Sequence, residues 1–99
     1  MPFIQIVEFS TSQPEEMRKL SDKYRADTQD KRRSTRAVFC ANRDKPGTYA
    51  IIAEFPSYEE AMENSNLPET QQLAQAMGAL SDGPATYTNL DVVEVIEGS

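Results

Sequence analysis

Few side chains of this 99-residue chain can do chemistry by type, and two of the candidates are carboxylates set in apolar segments. Glu8 stands near the end of Phe3–Phe9, FIQIVEF, and Glu54 near the end of Tyr49–Phe55, YAIIAEF. If those segments are neighbouring parallel strands, the two carboxyls lie side by side. One of them then takes a raised pKa and can serve as a general base. The plainer alternative is that each pairs with Arg36 or Arg43, or faces water. Arg36 follows the basic run Lys31-Arg32-Arg33 and is a candidate contact for an anionic ligand; with Asp27 and Asp30 beside it, the run also reads as a solvated loop. Tyr24 falls on the inner stripe of the first helix, where its hydroxyl needs a partner if buried. Tyr58 and Tyr87 share that ambiguity. Cys40, between Phe39 and Ala41, reads as a small buried hydrophobe and not as a nucleophile.

Missing residue types restrict the chemistry further. The chain has no histidine and no tryptophan, so imidazole metal sites, imidazole bases and proximal haem ligation by histidine are excluded. No glycine-rich nucleotide loop and no paired C-x-x-C occurs, so nucleotide, flavin and zinc binding lack support and no cofactor is expected. A single cysteine permits no intramolecular disulfide. Sixteen acidic against ten basic residues give a net charge of -6, the wrong sign for a nucleic-acid binder. No apolar run is long enough for a membrane span, and Met1-Pro2-Phe3 leads straight into strand-like sequence; the cytoplasm is the expected address.

The elements that must position these residues follow from periodicity. Phe3–Phe9 places Phe3, Gln5, Val7 and Phe9 on one face and Ile4, Ile6 and Glu8 on the other, the pattern of a central strand covered on both sides. Ser12 with Glu15 reads as a capping box, Pro14 fits the first turn, and Met17, Leu20 and Tyr24 make a narrow apolar stripe on a helix ending near Gln29. Ser34–Asn42 is a second strand. It turns at Asp44-Lys45-Pro46-Gly47 into Tyr49–Phe55, in a hairpin whose turn spans two to four residues and whose register stays open. Ser57 with Glu60 caps a short helix, Pro68 restarts a second one carrying Leu73, Met77 and Leu80, and Ser81-Asp82-Gly83-Pro84 stops it. Thr86–Ile96 is the closing strand.

Strand–helix–strand–strand–helix–strand is the split βαβ order, so the expected class is α+β: one ferredoxin-like βαββαβ domain over residues 1–99, with the first and third strands central and parallel. Its helices shelter one side of a sheet that is apolar on both. A homodimer with sheets facing each other as a barrel is the economical way to cover the rest. The alternative is a monomer with a shallow polar open face.

The stretch Tyr49–Phe55, then Ser57-Tyr58-Glu59-Glu60-Ala61-Met62, Asn64 and Leu67-Pro68-Glu69-Thr70, resembles the dimeric α/β-barrel superfamily, and more narrowly the antibiotic biosynthesis monooxygenase-like small proteins. Asn64 stands where that family often has a histidine four residues before the proline, and Thr70 where it has an apolar or aromatic residue. The lack of histidine and tryptophan departs from the haem-degrading branch. The resemblance implies cofactor-independent oxygenation of a small aromatic or polyketide-like molecule, in a pocket between helices and sheet. Asn64 and Glu54 are then the candidate catalytic residues, with Tyr24, Arg36 and Glu8 against the substrate. It equally admits a non-catalytic homodimer that binds a small ligand or acts as an interaction module, or an isomerase or lyase with a glutamate proton shuttle. Asn64 itself can donate an amide hydrogen bond to a substrate oxygen or simply cap the break before Pro68.

Overall fold

The computed structural model describes residues 1–98. The chain runs β1 (Phe3–Ser10), α1 (Pro14–Asp27), β2 (Arg36–Ala41), β3 (Thr48–Phe55), α2 (Tyr58–Ser65), α3 (Pro68–Leu80) and β4 (Thr86–Asp91). The strands form one open sheet in the order β2-β3-β1-β4, the ferredoxin-like arrangement. All three neighbouring pairs are antiparallel. This corrects the expectation of parallel central strands: β1 and β2 run parallel through their crossover, but the β2–β3 hairpin reverses the chain, so the strand beside β1 runs against it.

Register assigns the faces. Phe3 lies opposite Phe55, Gln5 opposite Ala53 and Phe9 opposite Tyr49, and paired residues share a face. Phe3, Phe55 and Ala53 pack with Ala61 and Met62 of α2, and Phe3 meets Tyr58 edge-on at 5.5 Å, so this is the helix-covered face. At its other end Phe9, Phe39 and Tyr49 form an aromatic cluster. Between the two clusters Gln5, Val7 and Ile51 are only half-buried. The opposite face carries Ile4, Ile6, Val38, Cys40, Ile52 and Leu90, and none of these is buried.

Local capping departs from expectation at α1. Gln13, not Ser12, occupies the cap and makes no side-chain cap bond. Thr11 does the work instead: its hydroxyl accepts from the Gln13 N–H and donates to the Leu80 carbonyl at 2.6 Å. That ties the start of α1 to the end of α3, and Thr11 is buried as a result. The helix ends at Asp27, two residues before the expected Gln29. At α2, Ser57 caps as expected, accepting from the Glu60 N–H at 3.1 Å. The reciprocal half of the box is diverted, since the Glu60 carboxylate meets Arg33.

The hairpin register, open in the sequence, is settled by Asn42. Its N–H donates to the Thr48 carbonyl, and its side-chain oxygen accepts from the N–H groups of Asp44 and Lys45. The connection is longer than the two to four residues expected, and Gly47 takes the positive φ of 85°. β2 is shorter than Ser34–Asn42. β4 stops at Asp91 and not Ile96, because Phe3, opposite Asp91, is the first residue of β1. No helix among the described residues is long and apolar enough to cross a membrane.

Candidate functional site

Asn64 is the best-buried polar side chain of the candidate set, at 6% exposure in the last turn of α2. Its oxygen accepts from the backbone N–H of Arg33 at 2.9 Å, which fixes the amide orientation, since a backbone N–H bonds only to an acceptor. The amide nitrogen then donates to the Tyr24 hydroxyl at 3.1 Å. Tyr24 lies 2.9 Å from the Thr70 hydroxyl. One polar chain, Asn64–Tyr24–Thr70, therefore joins α2, α1 and α3 where the three helices meet. The spacing of Tyr24 on the α1 stripe brings its ring inward, and Pro68 starts α3 so that Thr70 falls within reach.

Beside this chain, α1 and α3 leave a cavity of ≈ 190 Å³ lined by Leu20, Lys23, Tyr24, Asp27, Glu69, Gln72, Leu73 and Ala76. Its apolar wall is leucine, alanine and the Tyr24 ring, and its polar rim is charged. Lys23 is bound to Asp27 at 2.6 Å, and that contact raises its pKa above the usual 10.5. Glu69 is held by Lys31, whose hydrogen bond keeps the carboxyl below its usual 4.5. Its own backbone N–H lowers it further. One oxygen, Oε1, is buried and has no side-chain partner among the described residues. An ionised carboxylate is an acceptor only, so whatever completes it donates an N–H or O–H, as water does.

The other candidates lie elsewhere. Arg36 and Glu54 sit opposite each other on the helix-free face, 3.8 Å apart. Arg36, and not Arg43, is thus the partner of Glu54. Glu8 shares that face but lies opposite Ala50, four residues along β3 from Glu54, or about 13 Å. The proposed carboxylate pair does not form, because it needed parallel strands. Nor can Glu54, Arg36 and Glu8 line one pocket with Asn64 and Tyr24, which lie in the helical layer on the other side of the sheet. Glu8 instead edges a second, open cavity of ≈ 350 Å³ with Ser10, Lys45, Thr48, Asp82 and Thr86.

Two residues of the helical site were not expected there from the sequence. Glu69 and Thr70 follow Pro68 directly and belong to the stretch that carries the family resemblance, which gave neither of them a role. What distinguishes Glu69 is a buried oxygen, and that is a property of the packed helices.

Solved structures share this fold. SnoaB, a cofactor-independent oxygenase from Streptomyces nogalater solved as an asparagine-to-alanine mutant, superposes with a TM-score of 0.82 at 18% identity, over 97% of each chain. The chain shares the ferredoxin-like fold of that protein. A candidate antibiotic biosynthesis monooxygenase from Caulobacter crescentus shares this fold with a TM-score of 0.82 and 14% identity, over 94% of this chain and 91% of that one. The protein Rv0793 from Mycobacterium tuberculosis superposes over 100% of both chains, with a TM-score of 0.77 and 19% identity. Neither the family models nor the curated proteins compared with the sequence match it.

Proposed function

We propose that this protein binds a small hydroxylated aromatic molecule in the α1–α3 cavity and oxygenates it with O₂ without a cofactor. The observation that carries the reading is a cavity walled by Leu20, Leu73 and the Tyr24 ring, with the Glu69 carboxylate on its rim and the Tyr24 hydroxyl held by Asn64 and Thr70 beside it. A phenol matches that lining: its ring takes the apolar wall and its hydroxyl donates to Glu69. Volume sets the class. A dry cavity of about 150 Å³ holds a benzene ring, so ≈ 190 Å³ suits one ring, and a fused polyketide would have to extend through the open side. The fold shared with SnoaB, a cofactor-independent oxygenase, supports the reaction class by analogy.

In this scheme the chain binds and orients, and the substrate supplies the electrons. The phenol ionises, its anion reacts with O₂, a C–O bond forms, and the second oxygen leaves as water when the ring becomes a quinone. No outside reductant is needed, because phenol plus O₂ balances quinone plus water. Tyr24, held by Asn64 and Thr70, offers the ordered hydroxyl beside the cavity, and Asn64 acts through it as a positioning residue. Arg36, Glu54 and Glu8 have no part in this site. Their place is the helix-free face, which we propose to be the interface of a homodimer whose two sheets cover each other's apolar residues.

Oxygen uptake in air over a panel of single-ring phenols and quinols tests the reading. Turnover that falls tenfold or more in Glu69→Gln and Tyr24→Phe but not in Glu54→Gln is the expected result. Equal uptake by all variants would remove the site. A second reading, ligand binding without chemistry, is favoured by one fact: Lys31 lowers the Glu69 pKa, which makes the carboxylate a good acceptor and a weak base. Saturable phenol binding by calorimetry with no oxygen consumed would select it.

A further inference from the structure

The basic run Lys31-Arg32-Arg33 joins α1 to β2, and each of its three cations is committed to a different helix. Lys31 meets Glu69 in the first turn of α3. Arg32 donates to the Arg25 carbonyl in the last turn of α1, at 3.0 Å. The Arg33 guanidinium forks to α2, where one nitrogen meets Glu60 at 3.3 Å and the other Glu63 at 3.0 Å. Glu60, Glu63 and Asn64 stand at i, i+3 and i+4, so they share one face of α2, turned to this loop. The Arg33 backbone N–H takes the third of them, donating to the Asn64 oxygen at 2.9 Å. Thr28, at the other end of the loop, is buried, and its hydroxyl donates to the Tyr24 carbonyl at 2.6 Å. Tyr24 is thus held through its carbonyl by Thr28 and, by way of Asn64, through its hydroxyl by Arg33.

We infer that Arg33 is a positioning residue of the α1–α3 site, fixing the orientation of Asn64 and so the direction in which the Tyr24 hydroxyl gives its proton. The inference deepens the function proposed above and rests on it for any effect on substrate. A side-chain amide has two orientations that differ only in which end accepts and which donates. With the Asn64 oxygen on the Arg33 N–H, its nitrogen donates to the Tyr24 oxygen. The Tyr24 proton is then left for Thr70 or for a ligand in the cavity. Once Arg33 lets go, the amide is free to flip, and its oxygen accepts that proton instead. The hydroxyl then has nothing to donate to a phenolate. The fork explains why this place holds arginine: a planar guanidinium spans two carboxylates one helical turn apart, and a lysine ammonium reaches one.

Amide hydrogen exchange and a phenol titration test this. The residue 33 amide should exchange slowly in the parent. Arg33→Ala or Asn64→Ala should speed it about tenfold while amides of β1 keep their rates. Raising sodium chloride from about 0.05 to about 0.5 M should speed it several-fold in the parent, since the Arg33 pairs are half-exposed and open to screening. Para-nitrophenol, whose ionisation is read from its visible absorbance, reports the Tyr24 proton. Its bound pKa should rise by about half a unit or more in Arg33→Ala, and Arg33→Lys should recover part of the shift. In an Asn64→Ala background, Arg33→Ala should shift it no further. Unchanged exchange at residue 33 in Arg33→Ala, or an equal dye shift with and without Asn64, overturns the inference. Faster exchange at every amide alike also overturns it, because Arg33 is then only a stabilising contact. A parent that binds no phenol defeats the cavity reading and the role toward substrate with it, while the exchange rates still decide whether Arg33 orients Asn64.

Discussion

Asn64 shows how one buried side chain can serve structure and site together. Its amide oxygen holds the Arg33 N–H, and its nitrogen holds Tyr24. Asn64→Ala leaves the Arg33 N–H without its partner and takes one of two from the Tyr24 hydroxyl, which keeps Thr70, so a loss of about 2 kcal/mol by urea unfolding is expected. Tyr24→Phe removes one hydroxyl but keeps the ring, and should cost about 1 kcal/mol. If the two losses are equal, Asn64 is not holding the Arg33 segment. Glu69 gives a pH test with a definite sign. Lys31 lowers its pKa in the folded state, so the folded chain takes up a proton less readily than the unfolded one. The stabilisation is complete above the usual value of 4.5 and is lost as the pH falls through the lowered one. Melting temperature should therefore drop on acidification below 4.5 in the parent, and less steeply in Glu69→Gln. Parallel acid limbs in the two proteins would show that the Lys31 contact does not persist in solution.

At the scale of elements, helix starts and the hairpin turn carry measurable weight. Ser57 satisfies the Glu60 N–H at the head of α2, and α2 is the helix that packs on Phe3 and Phe55. Ser57→Ala should cost about 1 kcal/mol of unfolding free energy. Ser12→Ala should cost little, because Ser12 is not the cap of α1 and the nearby Gln13 N–H goes to Thr11. Two capping signals of equal quality in the sequence are thus expected to separate in a single pair of urea titrations. Gly47 holds a positive φ beside Lys45 and Pro46, and an added Cβ there would come no closer than 3.9 Å to the Thr11 carbonyl. The penalty of Gly47→Ala is conformational alone, about 1 kcal/mol.

The whole molecule is a sheet with two unlike faces. One is roofed by helices and the other presents Ile4, Ile6, Val38, Cys40 and Ile52 with Arg36 and Glu54 at one end. Under the homodimer proposed here, Ile6→Asp places a charge at the middle of the buried interface. It should convert dimer to monomer in sedimentation while leaving helix content unchanged. An unchanged dimer would mean that the two copies meet on another surface. Phenol binding in the α1–α3 cavity should survive this substitution, because that cavity lies in the helical layer and takes no residue from the helix-free face.

Strand and helix order, the faces of β1, the Ser57 cap, the proline restart at Pro68 and the turn at Gly47 were all legible in the residues, because each depends on period or on local backbone chemistry. Direction and partnership were not. That β1 and β3 run against each other, that Glu54 meets Arg36 while Glu8 stands about 13 Å away, and that β4 ends at Asp91 all follow from which residues lie opposite in the closed sheet. Likewise Asn64 and Tyr24 were nameable as candidates, but the buried oxygen of Glu69 exists only when α1 and α3 pack and Lys31 takes the other one. A sequence records what each side chain can do. Only the folded chain decides which groups are left without a partner, since that is a count taken over residues distant along the chain.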